Sequence, residues 1–317
     1  MTFLFKIFAS KMANKVTLIT GCSSGIGLNL AVKLSKDAAR KYLVYATMRN
    51  ARKRESLQAA AGDALNDTLF IRALDVVKDD SVTNAVNEII DTHGRIDVLV
   101  NNAGIATVKP IEYSSLPEVR EIFETNFFGV VRMIQAVLPH MKERRSGHIV
   151  NVSSITGVLG FPFYDTYCAS KHAMEGLTEA LAIRMKSFDV NISSVVTGPV
   201  LETNINRNIT EGNRLPSELK LDQLTRDQFN IMKTHSRDQF ENMAVTVHDV
   251  CNAIQDAIET DQPYRPVRTK TAEFADDCVK ASEKYSDFSG TTWVEFIRKM
   301  SEEPVSAYLP QNNQTQI

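Results

Sequence analysis

Short apolar runs alternate with longer stretches of helical period from Val16 to about Val196, and this alternation predicts a doubly wound parallel sheet. Strands are predicted at 16–20, 43–48, 69–74, 98–101, 148–152 and 191–196. Each run is short and nearly all apolar, as expected of a strand covered on both faces. Helices are predicted to begin near Gly25, Lys53, Asp80, Pro117 and Tyr164. The longest helical stretch, 118–144, carries Val119, Ile122, Phe123, Phe127, Val130, Met133, Ile134, Val137 and Leu138 on a broad stripe that faces the core or a second subunit. After Pro199 the pattern becomes polar and charged over 204–237, before an apolar-periodic helix at about 247–258. An insertion there lies at the C-terminal edge of the sheet, where ligands enter, and reads as a substrate lid.

This gives a Rossmann-type α/β fold in a single domain. The expected organisation is a leader at 1–14, the domain at 15–310 with its lid at about 200–245, and a frayed tail at 311–317. The leader has an apolar cluster interrupted by Lys6, too short to span a bilayer, which needs ~20 apolar residues. It reads as a flexible segment, with a weak interfacial membrane anchor as the alternative.

Composition narrows the function classes. A net charge of −2 offers no basic footprint for nucleic acid. The four cysteines, Cys22, Cys168, Cys251 and Cys278, form no C-x-x-C pair, and the six histidines form no H-x-x-x-H pair. No metal is expected, and a reduced, cytoplasmic setting fits best.

The first strand runs directly into Thr20-Gly21-Cys22-Ser23-Ser24-Gly25-Ile26-Gly27, which opens a helix, as a dinucleotide loop must. Gly21 permits the tight turn, Gly25 lets the backbone approach a pyrophosphate, and Gly27 lets helix pack on strand. The helix start at Ser24–Gly27 supplies oriented N–H donors. A glycine turn without a ligand is the alternative. The second strand ends Thr47-Met48-Arg49-Asn50, with no acid to hold a ribose 2′-hydroxyl. Arg49, helped by Ser23, instead suits a 2′-phosphate, and so NADP(H); otherwise Arg49 is a solvated surface charge. Asp75 follows the third strand, as an acceptor for an adenine amino group or as a turn cap. Asn101-Asn102-Ala103-Gly104 ends the fourth, with small residues that allow close backbone approach.

Tyr167 and Lys171 are four apart in a helical stretch, so both leave one face. Hydride transfer to a carbonyl leaves an alkoxide that needs a proton. A phenol near pKa ~10 supplies it poorly at neutral pH unless a cation such as Lys171 stabilises the phenolate. Ser154, expected on the loop after the fifth strand, can orient the substrate oxygen. Asn126 is polar in an apolar helix and needs a partner, which a water leading to Lys171 would provide. Each residue alone has an ordinary structural explanation.

Together, the phosphate loop, N-N-A-G, Asn126, Ser154 and Tyr167-x-x-x-Lys171 closely resemble the short-chain dehydrogenase/reductase family over about 16–199. The resemblance implies a seven-stranded parallel sheet, a Ser-Tyr-Lys-Asn catalytic set and a homodimer or tetramer built through the long helices. It also implies cofactor contacts at Tyr167, Lys171, Pro199, Val200 and Thr203, although Thr203 stands one residue later than the family's usual contact. The stretches at 17–27, 44–49 and 136–142 are similar to the branch of 17β-hydroxysteroid dehydrogenase type 1 and the photoreceptor-type retinol dehydrogenase. That branch implies NADP(H) and a lipophilic retinoid or steroid substrate. Val158–Phe163 would form one wall of its pocket, with ordinary loop packing as the alternative. His235 resembles a lid histidine that binds a steroid's far hydroxyl, whereas Met300 stands where a second, acidic steroid contact is expected. The lost acceptor favours a retinoid. A nucleotide-binding scaffold without catalysis is the non-enzyme alternative.

Overall fold

The computed structural model describes residues 14–200, 202–203, 205, 221–232, 244–260 and 264–266. His235 and Met300, and most of the expected lid, lie outside the described residues. The strands are β1 (Lys15–Ile19), β2 (Tyr42–Met48), β3 (Leu69–Ala73), β4 (Val98–Asn101), β5 (Gly147–Ser154), β6 (Val190–Thr197) and β7 (Tyr264–Pro266). They pair in parallel in the order β3-β2-β1-β4-β5-β6-β7. Parallel neighbours require crossovers, which the helical stretches between them provide. The order reverses between β1 and β4, so the crevice beyond the carboxyl ends of these two strands is the topological switch point.

The helices are α1 (Gly25–Ser35), α2 (Glu55–Ala61), α3 (Asp79–His93), α4 (Leu116–Phe123), α5 (Gly129–Arg144), α6 (Asp165–Met185) and α7 (Val247–Glu259). Alternate strand residues serve opposite layers. Ile19, Val44, Val100, Val150 and Val195 pack against α1, α2 and α7. Val16, Leu18, Leu99, Ile149 and Ile192 pack against α3, α5 and α6. Burial on both sides explains why these strands read as apolar runs instead of alternating ones.

The predicted strands match β1 to β6 with end shifts of one or two residues. Two differences affect the site. The expected helix over 118–144 is broken by a π-helical turn, Glu124–Phe128, between α4 and α5. A π turn adds a residue to the repeat, so a reading at constant period passes over it. Second, β5 runs two residues further than predicted and ends on Ser154 itself. The serine is therefore held by the sheet, not by the following loop. Its parallel partner is Thr197, the last residue of β6.

Candidate active site

The carboxyl ends of the strands border a cleft of about 380 Å³. Its lining includes Gly21, Ser23, Ser24, Gly25, Ile26, Arg49, Asp75, Asn102, Ala103 and Gly104. Ser154, Tyr167, Lys171, Pro199, Val200 and Thr203 also line it, whereas the predicted catalytic residue Asn126 does not. Among the predicted cofactor residues, only Gly27 does not line it. Thr125, Ile155, Thr156, Thr197 and Gly198 also line the cleft. They fall next to motif residues in the chain but carry no spacing signal of their own.

The glycine loop is shaped by close contacts. Gly21 has φ +75°, and a Cβ there would lie 2.8 Å from the Ala103 Cα. Loop and N-N-A-G turn can therefore touch only without that side chain. Gly27 is tighter: its Cβ would stand 2.5 Å from both the Gly21 carbonyl oxygen and the Asn102 amide nitrogen. Asn102 donates through Nδ2 to the carbonyls of Thr20 (2.9 Å) and Gly21 (3.2 Å). The Asn102 and Ala103 N–H groups both donate to Thr20 Oγ1 at 3.0 Å. The Asn102 side chain thus fastens the two loops together. Thr203, despite its shifted place in the sequence, comes to the glycine loop: its Cγ2 would lie 3.4 Å from a Cβ on Gly25.

Asp75 borders the cleft, but its Oδ1 accepts from the Val77 N–H at 3.3 Å, the turn-capping alternative. Arg49 is exposed at the cleft's edge and forms no ion pair among the described residues.

Tyr167 and Lys171 sit in the first two turns of α6, both buried. Burial pushes the Tyr167 phenol up to about 12, and hydrogen bonding by Ser154 acts the other way. Burial brings the Lys171 ammonium down to about 8, with the Glu175 charge opposing the drop. Lys171 Nζ donates to the Val152 carbonyl at 2.9 Å and lies 5.8 Å from the centre of the Tyr167 ring. The expectation that Lys171 lowers the phenol's pKa therefore needs correcting: desolvation of the ring outweighs any such effect. Ser154 Oγ accepts from the Thr156 N–H at 3.2 Å, which anchors the hydroxyl at the strand end.

Asn126 occupies the middle of the π turn and is 1% exposed. Its side chain has partners in the protein. Oδ1 accepts from the Ile105 N–H at 2.9 Å, while Nδ2 donates to the Ile105 carbonyl at 2.8 Å and to Ser170 Oγ at 3.1 Å. A Cβ on Gly104 would lie 3.4 Å from Asn126 Oδ1 and 4.0 Å from Lys171 Nζ, so the three residues meet at one point.

Beside Tyr167 is an apolar cluster. Tyr164, Cys168, Phe161 and Phe163 come from the segment 161–168 around Tyr167 itself, Ala106 and Val108 from the turn after β4, and Phe229 and Met232 from the helical stretch 223–232. Phe163 meets Phe229 edge-on, with ring centres 5.2 Å apart. The expected wall at 158–163 thus contributes Phe161 and Phe163, but most of the cluster comes from elsewhere. Among the described residues no helix is long and apolar enough to cross a membrane.

Comparison with known proteins agrees with this geometry. The short chain dehydrogenase family matches over residues 15–214. Retinol dehydrogenase 8 of Bos taurus is 44% identical over 260 residues, covering 82% of this chain and 82% of its own. The 17-beta-hydroxysteroid dehydrogenase type 1 of Homo sapiens is 37% identical over 255 residues, covering 80% and 76%. The solved structure of ElxO with NADP bound is 26% identical, with a TM-score of 0.65 over 80% of this chain and 97% of that one.

Proposed function

Because this chain belongs to the short chain dehydrogenase family, we propose that it is an NADP(H)-dependent oxidoreductase interconverting a lipophilic alcohol and its carbonyl, with retinol and retinal as the pair. The observation that carries this reading is the single cleft bordered by both the glycine loop and Ser154, Tyr167 and Lys171.

The chain's residues fit a dinucleotide. The turn at Gly21 and the packing at Gly27 leave the start of α1 with backbone in place of side chains, and the first-turn N–H groups of a helix suit a pyrophosphate. Arg49, with no acid beside it at the end of β2, suits a 2′-phosphate. The bound cofactor would supply or accept the hydride. Tyr167 is protonated at neutral pH and donates its phenolic proton to the carbonyl oxygen as that oxygen gains charge. Ser154, fixed at the end of β5, hydrogen-bonds the same oxygen and orients it. Lys171 contributes positive charge beneath the phenol, while Asn126 holds the turn at Ile105 that borders both.

The apolar side chains beside Tyr167 favour a lipophilic substrate. The higher identity and coverage with the retinol dehydrogenase support a retinoid. A steroid is the second reading, favoured by the 37% match to the 17-beta-hydroxysteroid enzyme. NADPH oxidation by purified protein with all-trans-retinal and estrone, using Tyr167→Phe as control, tests both. Faster reduction of retinal, lost by about 100-fold or more in the variant, is expected. Faster reduction of estrone would transfer the assignment to steroids, and equal rates for wild type and variant would remove the case for catalysis at this cleft.

A further inference from the structure

Among the polar side chains that α6 buries, which include Ser170 and Thr178, one carboxylic acid stands a turn from Lys171. Glu175 follows Lys171 by one helical turn and is 5% exposed. Its Oε1 accepts from Ser194 Oγ of β6 at 2.6 Å, whereas its Oε2 is buried without a hydrogen-bond partner. Ser153 Oγ of β5 is also buried without one. Gly157 allows the two to approach: a Cβ there would lie 2.9 Å from Ser153 Oγ and 3.2 Å from Glu175 Cγ. A buried carboxylate holding one hydrogen bond is costly and persists where an opposite charge compensates it.

Lys171 is the group that can compensate it. The two do not form a direct ion pair, since Lys171 Nζ donates to the Val152 carbonyl, but the Glu175 charge acts on the ammonium across the interior. Among the described residues, the other groups facing the pair carry no charge at neutral pH. From α6 there is Tyr167, protonated; from β5, Ser153; from β6, Ser194; from the turns, Gly104, Thr156 and Gly157; and from the π turn, Asn126. His148 lies at the opposite end of β5, bonded to Ser193.

We propose that Glu175 is a positioning residue, a buried counter-charge that acts through Lys171 to keep its ammonium protonated at the catalytic cleft, a role that rests on the proposed reductase chemistry. Two consequences follow. Removing the carboxylate's charge lets Lys171 lose its proton at lower pH. It also leaves a buried ammonium uncompensated, which destabilises the fold only while Lys171 is present.

Both can be measured on the full chain. In Glu175→Gln, the alkaline limb of kcat/KM for NADPH-dependent retinal reduction should move down by about one pH unit, a tenfold loss of protonated lysine above its midpoint. Glu175→Asp, which keeps the charge, should restore the limb. In a cycle with Lys171→Met, Glu175→Gln should raise the unfolding equilibrium constant about tenfold more beside lysine than beside methionine. If Glu175→Gln does not fold, Ser194→Ala replaces it: the carboxylate, losing its one donor, takes up a proton more readily, so the counter-charge weakens and the limb moves to lower pH. Limbs that superimpose on the wild type's, or an unfolding cycle without coupling, overturn the inference. An inactive wild type with a coupled cycle would instead sink the reductase reading and leave the counter-charge standing.

Discussion

Replacing Lys171 by methionine separates the energetic cost of the site from its chemistry. The side chain is 6% exposed, and burial brings its pKa from 10.5 to about 8. The difference is about 2.5 pH units, equivalent to about 3 kcal/mol of pH-dependent stability. The sign is set by which state holds the proton. Below pH 8 the lysine is protonated in both folded and unfolded chains, so the stability gap between wild type and Lys171→Met does not change with pH. Between pH 8 and 10.5 the unfolded chain still holds the proton and the folded chain has released it, so rising pH favours folding of the wild type. Relative to the variant, the wild type gains about 1.4 kcal/mol per pH unit, or about 2 kcal/mol by pH 9.5. Tyr167, held near 12, stays protonated in both proteins throughout this window and drops out of the difference. The absolute offset at pH 7 also contains the lost bond to the Val152 carbonyl, so the slope is the diagnostic quantity. Equilibrium urea unfolding of both proteins at half-unit steps from pH 6.5 to about 9.5 measures it. A gap constant to within about 0.5 kcal/mol over that range would refute the claim that Lys171 is a depressed, buried base.

Arg49→Ala should weaken NADP binding about tenfold or more relative to NAD, the worth of a charge-assisted bond to phosphate; an unchanged affinity ratio in fluorescence titrations would make Arg49 a surface charge. Gly27→Ala drives a Cβ to 2.5 Å from the Gly21 carbonyl oxygen, and should cost about 1–3 kcal/mol in unfolding free energy as well as cofactor affinity; a variant as stable as wild type would contradict the packing. Asn126→Ala leaves the Ile105 N–H and carbonyl without their partner and should cost about 1–3 kcal/mol, whereas a stability loss under 0.5 kcal/mol would mean that the turn closes without it.

Much of the fold was legible because burial on both faces leaves its mark directly on the chain. Apolar runs at β1 to β6, separated by helical periods, indicate a parallel sheet, and glycines directly after β1 indicate close backbone contact at its end. The pairing of Tyr167 with Lys171 was legible for the same local reason, since residues four apart on a helix share a face. The π turn was not, because Asn126 departs from the helical repeat in answer to Ile105, twenty-one residues away, whose backbone it bonds in both directions.

What the sequence by itself determined was the order of elements and the residue types delivered to the cleft. Tertiary structure alone decided how those residues behave. It brought Thr203 against Gly25 despite the shifted spacing, and it carried Ser154 to the end of a strand. It set Phe229 edge-on to Phe163 and buried Glu175 against Ser194. It also turned Tyr167 from an expected depressed phenol into one raised to about 12, and drew Lys171 down to about 8. The physical reason is that periodicity reports which face of an element a residue occupies, whereas desolvation and charge depend on everything packed around it, much of it distant along the chain.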